Sequence, residues 1–443
     1  MNLDQHRKLL WVVLSLYLLS NWTSMAGMEI FGWSTFAIAM CYAWRNRTSQ
    51  YAGEPQLKDF GPFIPWKTLI ALYVIVLLGL AVNGTETADR LYIIGSQRWM
   101  FLLTGFSFAL ALAPPSLKGY RIFLIFASVI AIYAVFQSFT GIDLLRPGSE
   151  RAVQRLDVRH EIQLWRSAGL FGSPMGYVYI AGMYSCLPLA VTMLAPGEAR
   201  KLRWFSIFTF LLIAASLVTT YVRGGWFAML ISYALMAWMT SRKLFWSVIG
   251  AFIAGFVLLF TFMIQFRERL MSLFDSHYAS NSDRMNLWKM NWRMVKDYPI
   301  LGIGWGENEA RACDPKFGLD CNASPKPFTG HAHNNFIQSL AGTGFLGFAA
   351  YMIFISFFLW LNWRLWKKIP ADLIWARSLA LACFGAQIFL HIGGLTECNF
   401  KAGATNHNFM IVLGLVASLS VLEKKGLLRK VYASVDLKTW PKK

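Results

Sequence analysis

The chain has 443 residues, of which 56% are hydrophobic and 15% charged, against roughly 25% charged in a typical soluble domain. That composition excludes a soluble globular enzyme and a disordered polar chain. The formal net charge of +19 is not accompanied by any nucleic-acid-binding motif, so a nucleic-acid partner is not expected.

Apolar runs near the span length of about 17 to 25 residues recur along the whole chain. In order they cover 9–24, 27–44, 67–83, 99–114, 121–139, 174–194, 204–221, 224–240, 244–265, 335–362, 374–394 and 406–422. This predicts an all-α polytopic membrane protein with about twelve transmembrane helices, forming one polytopic domain over residues 1–443. Within it lie one large loop, 266–334, and a basic tail, 423–443. Arg7 and Lys8 before the first run resemble the start of a signal peptide. No small-residue cleavage site follows, so the run reads as an uncleaved first helix.

Lys and Arg in short loops mark the cytoplasmic side. With the N-terminus inside, Arg45, Arg47, Lys58, Lys67, Lys118 and Arg121 all fall inside. The same holds for Arg200, Lys201, Arg203, Arg242, Lys243, Arg364, Lys367 and Lys368, and for Lys424, Lys425, Arg429 and Lys430 in the tail. Both termini are then cytoplasmic, and the loop 266–334 is outside, which is the periplasmic side if the cell is Gram-negative. Of six cysteines, Cys41, Cys186 and Cys383 fall in spans and read as small core residues. Cys313 and Cys321 share the outer loop, where an oxidising compartment permits a disulfide; Cys398 is a rival partner.

Three outer segments carry the unusual residues. The first, 140–173, contains Arg146, Arg151, Arg155, Arg159 and Arg166. Arg151, Arg155 and Arg159 recur every fourth residue, which stacks them on one face of a helix. The second is the corner Tyr221-Val222-Arg223-Gly224-Gly225-Trp226. In the third, residues 283–296 read as an amphipathic helix capped by Ser282 or Asp283. It sets Trp288, Trp292 and Val295 on one face and Lys289, Arg293 and Lys296 on another. Gly302-Ile303-Gly304-Trp305-Gly306 then turns the backbone sharply.

Arginines outside run against the topology bias. Salt bridges to loop carboxylates or snorkelling to the interface account for many of them, and Arg151, Arg155 and Arg159 suit lipid phosphates. Arg223 is different, because it sits at the mouth of two spans with almost no polar neighbours in sequence. An unpaired guanidinium there is costly, which makes Arg223 a functional-site candidate. Arg284, in the first turn of the expected helix, opposes the macrodipole. A bound anion explains both, since the guanidinium fork matches phosphate oxygens.

His333-Asn334 lies where the outer loop re-enters the membrane. A histidine near a helix end commonly serves as a structural hydrogen-bonder. Here Asn334 or Asn335 caps the next helix, whose positive end favours the neutral imidazole a base requires and also suits an anion. His331 competes for the role and suggests a metal pair. Residues two apart do not face each other on a helix, and no third ligand is evident, so no metal is expected. Gly342-Thr343-Gly344-Phe345-Leu346-Gly347 matches the dinucleotide fingerprint but follows no strand, so that reading fails. Its glycines suit close helix approach in a membrane.

These residues resemble the O-antigen ligase and polymerase superfamily of polyprenyl-dependent membrane glycosyltransferases. Its ligase branch carries a His-[Asn/Ser/Gln] followed after nine residues by Gly-x-x-[Gly/Thr/Tyr] at the end of the main periplasmic loop, matched by His333, Asn334, Gly344 and Gly347. The family's Arg-x3-Leu falls on Arg223, with Phe227 in the last place. The Arg284–Trp288 segment, the glycine turn 302–306 and the string from Arg166 to Pro174 are also similar. The resemblance implies a GT-C-like fold and transfer of O-antigen from undecaprenyl pyrophosphate to a sugar hydroxyl of lipid A–core. It implies His333 as base, and Arg223, Arg284 and Arg166 as holders of the donor pyrophosphate. His331, Asn334, Gly344 and Gly347 support them, and Arg151, Arg155 and Arg159 contact acceptor phosphates. No cofactor or metal is expected, and membrane lipids surround the chain. An O-antigen polymerase, an O-linked protein glycosyltransferase and a lipid-linked oligosaccharide transporter are the alternatives. A transporter places charges along a mid-membrane path, where His391 is the main candidate, otherwise a satisfied core histidine.

Overall fold

A computed structural model describes residues 3–21, 25–45, 53–84, 99–146, 153–157, 163–275, 278–317, 321–322, 329–400, 402–433, 435 and 437. The chain opens with α1 (Leu3–Ser20), α2 (Met25–Arg45), α3 (Trp66–Asn83), α4 (Trp99–Leu112) and α5 (Leu117–Thr140). Two short strands follow, β1 (Gln154–Asp157) and β2 (Gln163–Arg166), then α6 (Pro174–Leu194), α7 (Arg200–Val218), α8 (Arg223–Thr240) and α9 (Arg242–Phe262). The large loop folds into α10 (Ile264–Met271), α11 (Ala279–Asp297) and α12 (Glu307–Ala310). The chain then continues through α13 (Asn335–Lys368), α14 (Ile374–Gly393), α15 (Gly403–Lys424) and α16 (Leu428–Tyr432).

A helix stands at each of the twelve expected spans. Eight of these helices (α3, α5, α6, α7, α9, α13, α14 and α15) are long and apolar enough to cross a bilayer. Helix α4 is apolar but shorter, and α1, α2 and α8 are more polar. The protein is an all-α polytopic membrane protein. The physical reason is that lipid offers no hydrogen-bond partners, so each span must satisfy its backbone internally. Side-chain caps fix several starts: Ser116 accepts from Gly119 N at 3.1 Å, Ser173 from Gly176 N at 3.1 Å and Ser241 from Leu244 N at 3.2 Å. Helix α13 runs six residues past the expected end, closing on Lys367 and Lys368, which complement its negative terminus.

Apolar burial does not draw helices together in lipid, so packing and interhelical hydrogen bonds do. Helix α7 shows this along one face, where Ser206, Thr209 and Ser216 meet Tyr120 at 2.8 Å, Ser128 at 2.9 Å and Tyr177 at 2.7 Å. Each such bond contributes about 0.6 kcal/mol. Helix α14 packs on α6 and α8, and α15 on α4. Helix α9 buries no residue and leans mainly on α8, so its apolar surface faces lipid.

Several expectations change. Arg155 lies exposed on β1, opposite Trp165 of β2 in an antiparallel hairpin, rather than on a helix. A four-residue charge spacing fits one face of a strand as well as one face of a helix, so it could not decide between them. Arg151 and Arg159 lie outside the described residues. Helix α11 starts at Ala279 after Tyr278, leaving Ser282 and Asp283 inside it. Its buried face is Leu287, Met290, Met294 and Val295, packed on Ile303, Phe317 and Ala341. Trp292 is exposed.

Cys313 and Cys321 form a disulfide, and Cys398 is buried with its Sγ 3.7 Å from Asn334 O. Cys186 and Cys383 are buried, but Cys41 is exposed on α2. His391 is buried against Phe409, yet neither ring nitrogen has a hydrogen-bond partner among the described residues. Gly344 breaks α13 at φ 63°, ψ −170°. The chain before the glycine turn docks into that break, with Phe345 N donating to Pro299 O at 2.7 Å and Ile303 N to Ala341 O at 2.9 Å. A Cβ on Gly344 would stand 2.3 Å from Ile300 O. The close approach at Gly344 is therefore to a loop, not to a helix, whereas Gly347 does face Ile75 of α3.

Candidate active site

The corner between α7 and α8 is the first part of the site. Thr220 Oγ1 accepts from Val222 N at 3.2 Å, and Tyr221 between them is held at φ 53°. Among the described residues only Tyr221 and His333 (φ 48°) combine positive φ with a side chain. Such strain costs roughly 1–3 kcal/mol and persists where surrounding structure over-determines it, commonly at functional sites. Both strained residues lie here.

Three buried arginines converge on the corner. Arg223, the first residue of α8, donates from Nη1 to Ser272 Oγ at 3.0 Å and from Nη2 to Asn281 Oδ1 at 2.8 Å. Arg269 of α10 donates to Tyr221 O at 3.2 Å and Tyr278 Oη at 2.9 Å. Arg166, ending β2, donates to Thr220 O at 3.1 Å and Gln154 Oε1 at 3.1 Å. Each of these acceptors is neutral. The Tyr278 ring lies under two of the cations, 5.9 Å from Arg223 Cζ and 5.6 Å from Arg269 Cζ, a cation–π arrangement. Burial first, and the Arg269 charge second, push Arg166 down to about 10; burial likewise lowers Arg269. Both stay protonated at neutral pH.

Sequence alone left Arg223 nearly without polar neighbours. Folding supplies Ser272 and Asn281 from 49 and 58 residues away. Arg284 also moves: because α11 starts at Ala279, it sits in the second helical turn, and the opposed-dipole argument for it falls. What remains is stronger. Arg284 has no hydrogen bond or ion pair among the described residues, and its charge acts on Arg166, Arg223, Arg269 and Glu397. Asn281, Arg284 and Trp288 follow helical spacing along α11. The first of them binds Arg223, and the last donates to Ala332 O at 2.9 Å.

The histidines form the second part. His331 and His333 precede α13 and are not helical, so the rule that separates i and i+2 side chains does not apply. Their ring centroids are 4.3 Å apart. His333 Nδ1 lies 2.8 Å from Glu397 Oε1, and His331 Nε2 lies 3.5 Å from the same oxygen. Asn334 caps α13, accepting from Phe336 N at 2.9 Å and Ile337 N at 3.0 Å, and donates to Leu395 O at 2.9 Å. Asn335 N donates to Gly394 O at 2.7 Å. These bonds lock the histidine segment to the link carrying Glu397. On the other side, Gly224 admits Thr396: a Cβ there would stand 1.9 Å from Thr396 Oγ1.

Glu397 is 5% exposed. Burial alone raises its carboxyl, but the hydrogen bond and charge of His333, with the charges of His331 and Arg284, hold it below the usual range. A carboxylate only accepts, so a neutral His333 ring facing Glu397 through Nδ1 would carry its hydrogen there and leave the lone pair on Nε2. His331 differs. Its Nδ1 accepts from His333 N at 3.3 Å, which commits its lone pair to the backbone. The two histidines are not equivalent: His333 faces Glu397 through Nδ1, whereas His331 Nδ1 accepts from the backbone.

His331, His333 and Glu397 offer ligand atoms within 4.8 Å of one another, so the third ligand missing from the sequence reading exists. This is a donor set that zinc accepts. Against it stand the charges of Arg166 and Arg284 acting on Glu397, with Arg223 and Arg269 close to both arginines, which favour an anion over a dication.

The fold thus assembles Arg166, Arg223, Arg284, His331, His333 and Asn334. Gly344 and Gly347 serve backbone packing, and Arg155 lies exposed on the hairpin. Sequence reasoning missed Glu397, Arg269, Tyr278 and Asn281. Glu397 was findable as an ionisable residue between two apolar runs. Arg269, beside Arg267 and Glu268, looks like part of an ordinary solvated charge run. Residues 208–352 match the family model described as O-antigen ligase. That stretch contains Arg223, Arg269, Arg284 and His333, but neither Arg166 nor Glu397. No curated protein matches the chain.

Proposed function

We propose that this chain, a member of the O-antigen ligase and polymerase superfamily, is an O-antigen ligase of the bacterial inner membrane with its site on the periplasmic face. It transfers polymerised O-antigen from undecaprenyl pyrophosphate to a sugar hydroxyl of lipid A–core. The observation that carries this reading is the set of buried arginines with neutral partners beside a His333–Glu397 pair. Among the described residues these buried cations outnumber the one nearby carboxylate, Glu397; such an excess is costly to bury, and a pyrophosphate supplies further negative charge.

In the proposed reaction His333 Nε2 takes the proton of the acceptor hydroxyl, and Glu397 stabilises the imidazolium that forms. The acceptor oxygen bonds to the anomeric carbon as that carbon's bond to the pyrophosphate oxygen breaks, inverting the centre. Arg223, Arg269 and Arg284, with Arg166 behind the corner, stabilise the departing pyrophosphate. The linkage already holds the energy, so no nucleotide is needed, and guanidinium charge does the work a metal would otherwise do. Both termini lie in the cytoplasm in this reading.

A polymerase differs only in using a second lipid-linked glycan as acceptor. Purified protein reconstituted with the polyprenyl-pyrophosphate glycan and lipid A–core, in chelator and without nucleotide, separates the two. Product on lipid A–core is the expected result. Elongation of the lipid-linked donor alone overturns the ligase assignment, and movement of donor across the membrane without transfer makes the chain a transporter.

A further inference from the structure

At the far end of α13 from His333, a second charged feature has no place in the reaction. A cavity of about 240 Å³ opens between the C-terminal ends of α13 and α15 and the turn at Pro62–Phe63. Its lining includes Trp360, Arg364, Lys368, Glu423 and Lys424. We propose that it binds the phosphate head group of an acidic phospholipid in the leaflet opposite the His333 site.

Charge is the first support. The lining holds three cations against one carboxylate, and Glu423 is taken by Lys368 at 3.2 Å. Other carboxylates at this end are also taken: Asp59 by Lys425 at 2.7 Å, Glu54 by Arg7 at 2.5 Å and Asp372 by Arg429 at 2.6 Å. Arg364 and Lys424 have no carboxylate partner among the described residues. Instead Arg364 lies over the Trp360 ring at 5.4 Å and Lys424 over Phe63 at 5.8 Å. Lys367, Lys368 and Lys424 stand in the last turns of their helices, where they complement the dipole. Arg364 lies a turn further in and gains little from it.

Position and size are the second support. Trp360 is 52% exposed beside the cavity, and tryptophan concentrates at the membrane–water boundary. The cavity therefore opens at head-group depth. Pockets for whole drug-sized ligands span roughly 300–1,000 Å³, so this one suits a head group whose acyl chains remain in the bilayer. Basic pockets between spans are a recurrent means of holding anionic lipid.

The test uses the full-length protein in detergent, titrated with short-chain phosphatidylglycerol, phosphatidylcholine and inorganic phosphate. Phosphatidylglycerol should bind about thirtyfold more tightly than phosphatidylcholine, the effect expected of two cations facing an anionic lipid. The double variant Arg364→Gln, Lys424→Gln should lose that preference, and Arg364→Gln alone should lose part of it, with thermal melting in detergent confirming that each variant folds. Equal binding of the two lipids by the unmodified protein overturns the proposal without any variant. An undiminished preference in a folded double variant also overturns it, as does inorganic phosphate competing at the same concentration as the lipid.

Discussion

The two ends of the helix bundle use arginine and lysine in opposite ways. At the Lys368 end, cations near the carboxylates are paired with them, Lys425 with Asp59, Arg429 with Asp372 and Lys368 with Glu423, while Arg364 and Lys424 beside the cavity lie over aromatic rings instead. At the His333 end, the buried guanidinium groups of Arg166, Arg223 and Arg269 meet carbonyls, hydroxyls and amides. The pair exposed on both sides, Arg429–Asp372, contributes at most about 1 kcal/mol. Among the described residues the buried set hydrogen-bonds to neutral groups, so residue type alone does not tell a topology signal from a candidate binding site.

Mutations at the two ends should separate accordingly. His333→Ala should cause the largest loss, about 10²- to 10⁴-fold in transfer, measured with reconstituted donor and acceptor. His331→Ala should cost much less, because its ring braces the segment; equal losses would undo the distinction. Arg223→Gln should lower transfer by about 10²–10³-fold and weaken donor binding. Arg269→Gln should do the same to a smaller degree while leaving acceptor affinity unchanged.

Glu397→Gln should weaken His333 as a base and displace the pH–rate profile for transfer. It should also reduce acid sensitivity. A carboxylate whose folded pKa is depressed stabilises the fold above its unfolded value, about 4.3, and that stability is lost as pH falls through the lower folded value. Melting curves of wild type and Glu397→Gln should therefore converge in acid; a constant gap at all pH values would contradict the sign. The smallest effect belongs to Asp372→Asn, whose ion pair with Arg429 has both side chains more than half exposed. Its melting temperature and transfer rate should remain close to wild type.

Much of the fold was legible because apolar run length is a direct physical requirement of the bilayer. The positions of all twelve helices follow from it, whereas their ends moved by several residues where capping decided. The hairpin at Arg155 was misread because four-residue spacing suits strand and helix alike. At the site, Arg166, Arg223 and His333 stood out as ionisable residues beside apolar runs, whereas Arg284 stood out for a position in the helix that the structure moves. Their partners did not. Asn281 reaches Arg223 across 58 residues and Glu397 reaches His333 from a separate link, contacts that only the packed fold creates. His331 and His333 come together with Glu397 because the backbone turns through positive φ at His333 rather than forming a helix there.

The central claim is that the uncompensated arginines hold the donor's pyrophosphate while His333 acts on the acceptor. Direct binding of undecaprenyl pyrophosphate to the wild type, Arg223→Gln and His333→Ala tests it. The account predicts at least a tenfold loss of affinity in Arg223→Gln and wild-type affinity in His333→Ala. Undiminished binding by Arg223→Gln, or loss confined to His333→Ala, would contradict it.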